Sequence, residues 1–391
     1  ETVSDAIAGS ASWCPVTSFD VADAAYEWCQ GQYASDVTRA EGTWTRLLSQ
    51  GLAGAYGAWV NEMDLRDADD AQLTLDETET GAYSLGTYAS ALLDTVDEAA
   101  TYFVQNTAFP YTYTPQRLED PNLAATREAD AVTSQAVPGA SADGTGEEQV
   151  DGGAEAQDGA DAADQDSAQT ALAGVAQVQS TIYDTAQSYF ASLNADNWWI
   201  NYNHRSMSVT VSSLRDFVLH LRPATLSASP YDQPDRSSKV NQLFGIGEES
   251  TLHFGAIAGE LIQANLDAYA SCEDWPAELE VDWEEDLEKV DSLETDMATR
   301  VSMMNPLYWL SGHYEGYGQA SVAPHWRINE GLFDTDVPLC SASNIVLALR
   351  KYDGVADVAH TAVWGQGHVL AERSGSATAN LIAWVTSCCT A

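Results

Sequence analysis

Val322-Ala323-Pro324-His325-Trp326-Arg327-Ile328-Asn329-Glu330-Gly331-Leu332-Phe333-Asp334-Thr335-Asp336 is the stretch whose reading decides the fold. Val322 to Ile328 has the β-branched and aromatic content of a strand. Asn329 to Asp336 reads as a loop presenting two carboxylates, Asp334 and Asp336. A helix is expected from Ser341 to Lys351. A second strand, Val358 to Trp364, runs into Gly365-Gln366-Gly367-His368. Strand, helix, strand predicts two parallel neighbours, because parallel strands need a long crossover. Catalytic groups gather outside the carboxyl ends of such strands, so Asp334 and His368 are expected to meet at one rim.

An acid on one loop and a histidine on the next is the order in which an α/β-hydrolase delivers two members of its triad. The carboxylate would accept the Nδ1–H of the imidazole, fix its tautomer and stabilise the imidazolium formed during proton transfer. A lone loop histidine, or an aspartate before a helix, is ordinary surface chemistry; the ordered pair carries the reading. No serine is placed to be the nucleophile. Gly139-Ala140-Ser141-Ala142-Asp143 lacks the second glycine and follows no strand. His204, His220, His253, His313 and His325 share no metal-ligand spacing. His360 falls inside the second strand and reads as packed. Neither a metal nor another cofactor is expected. Arg327, inside the first strand, needs a carboxylate partner if buried.

The chain of 391 residues carries a net charge of −43, which disfavours nucleic acid and anionic membranes as partners. Twelve Trp and seventeen Tyr, with 45% hydrophobic residues, imply a folded chain with a large core. No run of 18 or more apolar residues is present, so no transmembrane helix is expected. The opening, Glu1-Thr2-Val3, moves at once into an apolar run and reads as a cut. Six cysteines without a C-x-x-C pattern argue for a secreted or cell-surface setting with disulfides, Cys14–Cys29 being a local bridge to test. Six buried thiols are the other reading.

Residues 5–17 read as a buried core strand. Tyr33 to Glu62 is expected to be helical, with Trp44, Leu47, Leu48, Leu52, Tyr56 and Trp59 on one face. A second helix is expected over 85–104 and a third over 171–193. Short strands follow near 198–202 and 209–211, then helices over 213–221 and 252–269, with loop over 232–247. Residues 126–170 hold eleven acidic residues, one basic residue and no aromatic, a composition expected to be disordered. The expected architecture is an incomplete α/β-hydrolase fold, its N-terminal strands absent. Residues 1–20 and 319–391 form core, and 21–318 form a mostly helical lid insertion.

At these residues the chain resembles the bacterial subtype B tannases, α/β-hydrolases related to feruloyl esterases. The resemblance rests on Ala323-Pro324-His325-Trp326-Arg327-Ile328 through Asp334-Thr335-Asp336, on Val363-Trp364-Gly365-Gln366-Gly367-His368, and on Ala371-Glu372-Arg373 with Ile382-Ala383-Trp384-Val385. Trp13-Cys14-Pro15-Val16-Thr17 and Ala22-Asp23-Ala24-Ala25-Tyr26-Glu27-Trp28 resemble the segment after the family's nucleophile helix. Ser213-Leu214-Arg215-Asp216-Phe217 and Asn241-Gln242-Leu243-Phe244-Gly245 resemble parts of its lid. The resemblance implies a serine carboxylic-ester hydrolase with Asp334 as triad acid, His368 as general base and Asp336 facing phenolic hydroxyls of an aromatic acyl group. The substrate would be a small-molecule ester, with no cofactor. An upstream segment would bring the serine and the oxyanion hole, and the chain alone would be inactive. Two family residues that bind galloyl hydroxyls, a lysine and a glutamate, have no counterpart here. The matching stretch is Ala224-Thr225-Leu226-Ser227, and Val240 precedes Asn241. A less hydroxylated aromatic ester, or an acyl ester, therefore fits as well as a gallate.

Two other readings compete. Glu280-Val281-Asp282 and Glu284-Glu285-Asp286 could supply a glycosidase's carboxylate pair, though an acidic run is ordinarily a solvated helix face. A hydrolase fold that has lost catalysis and binds aromatic or carbohydrate ligands is the other.

Overall fold

The computed structural model describes residues 6–35, 37–78, 83–114, 180–368 and 370–389. The chain divides into a unit of Glu1–Tyr111 with Asp184–Ala391 and a unit of Thr112–Tyr183. The expected disorder of 126–170 and the first part of the helix expected over 171–193 lie outside the described residues.

In chain order the strands are β1 (Gly9–Trp13), β2 (Asp76–Glu77), β3 (Tyr83–Leu85), β4 (Tyr111–Tyr113), β5 (Thr181–Tyr183), β6 (Ile200–Asn203), β7 (Ser208–Val211), β8 (His325–Gly331) and β9 (Asp357–Val363). The helices are α1 (Ala22–Cys29), α2 (Trp44–Glu62), α3 (Thr87–Asn106), α4 (Ala186–Leu193), α5 (Leu214–Leu221), α6 (Lys239–Leu243), α7 (Ala256–Ala264), α8 (Leu266–Ala270), α9 (Glu278–Leu287), α10 (Met297–Met303), α11 (Pro306–Leu310), α12 (Leu339–Lys351) and α13 (Ala377–Cys388). Three strands form the main sheet in the order β1-β8-β9, all parallel. Gly9 pairs with His325 and Trp13 with Asn329; on the other side His325 pairs with Asp357 and Gly331 with Val363. The pairs β2-β3, β4-β5 and β6-β7 make two-stranded ladders.

Several element bounds differ from the sequence reading, each for a physical reason. β1 stops at Trp13 because Cys14 takes a left-handed backbone (φ 46°) and Pro15 has no amide to donate. β8 runs on to Gly331, three residues past the expected end. Asn329 and Glu330 look like loop residues but are buried strand residues with partners. Asn329 donates to the Ala371 carbonyl (2.8 Å), and Glu330 Oε1 meets His360 Nε2 (2.9 Å). Helix α2 begins at Trp44 rather than Tyr33, with the Thr43 hydroxyl accepting from the Arg46 amide. The preceding residues make short 3₁₀ turns that carry Arg39 inward. Helix α1 was not read from the sequence: all eight of its residues are buried, Asp23 and Glu27 included, so its polar positions do not mark a solvent face. The stretch expected as loop over 232–247 contains α6.

One buried polar cluster ties the helical region together, and a second set of polar groups binds it to the loop after β8. Arg39 forms a bidentate pair with Glu27 (2.6 and 2.7 Å), both side chains fully buried, and Ser49 and the Ser229 amide also donate to that carboxylate. The Arg222 guanidinium donates to the carbonyls of Gly331, Leu332 and Val337. Tyr26 of α1 and Gln30 just after it donate to the Thr335 carbonyl, and the Tyr231 hydroxyl to that of Asp336. An apolar cluster behind these contacts includes Tyr26, Tyr231, Phe244, Phe254 and Met297, with Val240 packed against it. The loop after β8 is thus fixed from outside the sheet through its backbone carbonyls.

The Cys14–Cys29 bridge considered from the sequence is not formed; both thiols are free. The residues face different partners. Cys14 sits at the end of β1 beside His368, whereas Cys29 ends α1 beside Cys340 at the start of α12.

Candidate active site

Parallel pairing places the ends of β1, β8 and β9 at the same rim, and each sends one chemically active side chain there. Cys14 directly follows β1, and its amide continues the ladder by donating to the Asn329 carbonyl (2.8 Å). Asp334 lies three residues beyond β8, and His368 five beyond β9.

Backbone contacts hold the Asp334 and His368 loops together. The Leu332 amide donates to the Val363 carbonyl (2.9 Å) and the Phe333 amide to the Gln366 carbonyl (2.8 Å). Gly331 makes this approach possible. A Cβ there would lie 2.1 Å from the Gly367 carbonyl oxygen and 2.5 Å from that of Gln366. The His368 loop is clamped on its other side. The Gln366 side chain donates to the Glu372 carbonyl and accepts from the Glu372 amide (2.9 and 3.0 Å). The Glu372 carboxylate accepts from Arg327 (2.7 Å to each oxygen), Trp13 Nε1 (3.1 Å) and Asn380 (2.8 Å). Arg327 thus has the carboxylate partner its burial requires.

Asp334 is 2% exposed. Its Oδ2 lies 3.0 Å from His368 Nδ1, and its Oδ1 accepts from the amides of Asp336 (2.8 Å) and Val337 (3.2 Å). Burial opposes its ionisation. The hydrogen bond to His368 and the charge of Arg222 outweigh that and hold the carboxyl below its usual range. The His368 imidazole is 41% exposed at the rim. Its hydrogen bond to Asp334, then its contact with Cys14, raise its pKa to about 10. Asp336 is half-buried; burial and the neighbouring Asp334 charge raise its carboxyl. The Cys14 thiol is buried, and burial raises its pKa. One donor atom from each of Cys14, Asp334 and His368 lies within 4.8 Å of the others.

A likeness to solved structures emerges from this arrangement of rim and loops. The fold is that of the bacterial tannases. The chain superposes on tannase from Fusobacterium nucleatum with a TM-score of 0.52 and 17% identity, over 98% of this chain and 59% of that one. Tannase from Lactobacillus plantarum gives 0.50 at 17% identity, over 98% and 59%. A tannin acyl hydrolase in complex with 3,4-dihydroxybenzoate gives 0.50 at 16%, over 98% and 56%. This chain therefore spans less than two thirds of the length of the tannases it matches. No protein-family model matches the chain, and no curated protein matches it in sequence. The tannase likeness read from its motifs is borne out in three dimensions, as an α/β-hydrolase-like fold.

The rim unites Asp334 and His368, with Asp336 two residues beyond Asp334. The remaining histidines lie elsewhere. His253 is buried against Asp232 (2.7 Å) and stacked on Trp283, while His325 pairs with Asp357 and His360 with Glu330. Of the competing carboxylates, Asp286 is buried and bound to Arg236 (2.7 Å), Lys289 (3.3 Å) and the His253 amide (2.9 Å). Of the others in that run, Glu284 and Glu285 are exposed and Glu280 and Asp282 are half-buried on α9. The sequence reading missed Cys14. Its only signal was a cysteine before proline at a strand end, and it stands 320 residues before Asp334.

Proposed function

We infer that this chain carries the acid and base of a serine-type carboxylic-ester hydrolase. The observation that carries the reading is the contact of Asp334 Oδ2 with His368 Nδ1, 3.0 Å, at the carboxyl rim of a parallel sheet. Asp334 orients the imidazole and stabilises its protonated form. His368 takes the proton of a nucleophile and returns it to the leaving alcohol. The nucleophile is a serine on a segment outside these residues, which also supplies the oxyanion-hole amides. On this reading the isolated chain turns over no ester. Residues 1–20 and 319–391 act as hydrolase core and 21–318 as lid.

The substrate is a small-molecule ester with an aromatic acyl group, Asp336 facing its ring hydroxyls. Ala224 is buried, and Val240 packs on the apolar cluster rather than offering a charge. That favours an acyl ring with fewer hydroxyls than galloyl. The strongly negative charge and low Lys and Arg content suit a secreted or surface-bound enzyme, and no helix among the described residues is long and apolar enough to cross a membrane.

The test is hydrolysis of a chromogenic aromatic ester by this chain alone and by the chain joined to its upstream residues. The joined protein is expected to turn over, and His368→Ala to reduce kcat by about 10²–10⁴-fold. Turnover by the isolated chain, lost on His368→Ala, would overturn the external-serine reading and move the nucleophile to Cys14.

A further inference from the structure

We propose that Cys14, Asp334 and His368 form a binding site for a soft divalent cation of the Zn²⁺ or Cd²⁺ type, which on binding takes the imidazole away from ester chemistry. The site uses the acid and base assigned above, but its formation needs neither turnover nor the serine.

The donor set is a thiol, an imidazole and a carboxylate from three separate loops, with one donor atom of each inside a 4.8 Å circle. Tetrahedral Zn²⁺ with bonds of about 2.0–2.3 Å wants its donors about 3.3–3.8 Å apart. The carboxylate and imidazole already stand 3.0 Å apart. Closing the set takes adjustments of about an ångström or less, and His368 is the most exposed of the three side chains. Cys14 and Asp334 are fixed, one by the ladder bond from its amide and the other by two amides donated to Oδ1. The half-exposed imidazole leaves a side open for water or an anion as fourth ligand. A thiolate with an imidazole selects Zn²⁺ and Cd²⁺ over Mg²⁺ and Ca²⁺, which prefer oxygen sets. Binding through Nδ1 replaces the thiol proton and the Nδ1 proton of the imidazole, both passing to solvent.

The geometry also disfavours the thiol as a free reactive group. It is 6% exposed, so a bulky electrophile reaches it poorly, whereas a bare cation enters from the open side of His368.

The experiment titrates Cd²⁺ into the chelator-stripped chain carrying Cys388→Ser and Cys389→Ser, reading the ultraviolet thiolate-to-cadmium absorption. One equivalent is expected to bind with the band fully developed. Cys14→Ser is expected to remove the band, and His368→Gln to weaken binding at least tenfold. Circular dichroism checks that each variant is folded. Zn²⁺ is expected to raise the melting temperature of the parent and not of Cys14→Ser, while Mg²⁺ does nothing to either. A band retained in Cys14→Ser and lost in Cys29→Ser would place the cation at the Cys29–Cys340 thiols and overturn the proposal. So would tight binding unaffected by His368→Gln. If metal binds as described while the joined protein hydrolyses no ester, the esterase reading fails and the metal site stands.

Discussion

Replacing Asp334 with asparagine tests the central pair without requiring turnover. Asparagine keeps the shape, and its Oδ1 can still accept the amides of Asp336 and Val337. What disappears is the negative charge 3.0 Å from the His368 ring. The imidazole pKa stands at about 10 against an ordinary 6.5, and Asp334 is the largest cause. An opposite charge at this range accounts for about 1–3 pH units, so His368 in the variant is expected to titrate lower by that amount. The assay is an NMR titration of the histidine ring protons in chelated buffer, with His368 assigned by its loss in His368→Gln. Stability follows the same linkage. A histidine whose folded pKa is raised contributes in full below about 6.5, and that contribution is lost as pH climbs towards about 10. Asp334, whose folded pKa is depressed, contributes above its unfolded value of 3.8 and loses this as pH falls through the folded one. The urea-midpoint gap between wild type and variant should therefore be widest between these two values, pH 3.8 and 6.5, and narrow as pH climbs towards about 10. A wild-type His368 that titrates near 6.5, or one that Asp334→Asn leaves unmoved, refutes the reasoning.

Other perturbations probe the supports of the site. Gly331→Ala puts a methyl against the Gly367 and Gln366 carbonyls. It is expected to cost about 1–3 kcal/mol in denaturant titrations and to lower the raised His368 pKa as the two loops separate. Arg39→Met leaves Glu27 buried without its bidentate partner; a loss of about 3–5 kcal/mol is expected from chemical denaturation. Glu372→Gln weakens the charge clamp on Arg327 while keeping its shape. In the joined protein it is expected to reduce kcat with KM little changed, because the base loop is misplaced rather than the substrate pocket. In that same protein kcat/KM should rise with pH through the alkaline range, since only a neutral His368 can accept a proton.

Local chemistry determined a good part of this protein in advance. The strand–acid loop–helix–strand–base loop order of the last quarter follows from periodicity and glycine placement, and the structure has it with shifted ends. The faces of α2 and α3 were legible because one side of each is polar. Where both sides are covered, that signal vanishes, as with α1; where a strand buries polar residues on designed partners, as Asn329 and Glu330 do, it misleads. Only the tertiary structure decided that β1 pairs with β8 in parallel, and thereby brought Cys14 to the same rim as Asp334 and His368. No local pattern encodes that meeting. It depends on register between segments more than three hundred residues apart, and register is set by which faces can be buried together.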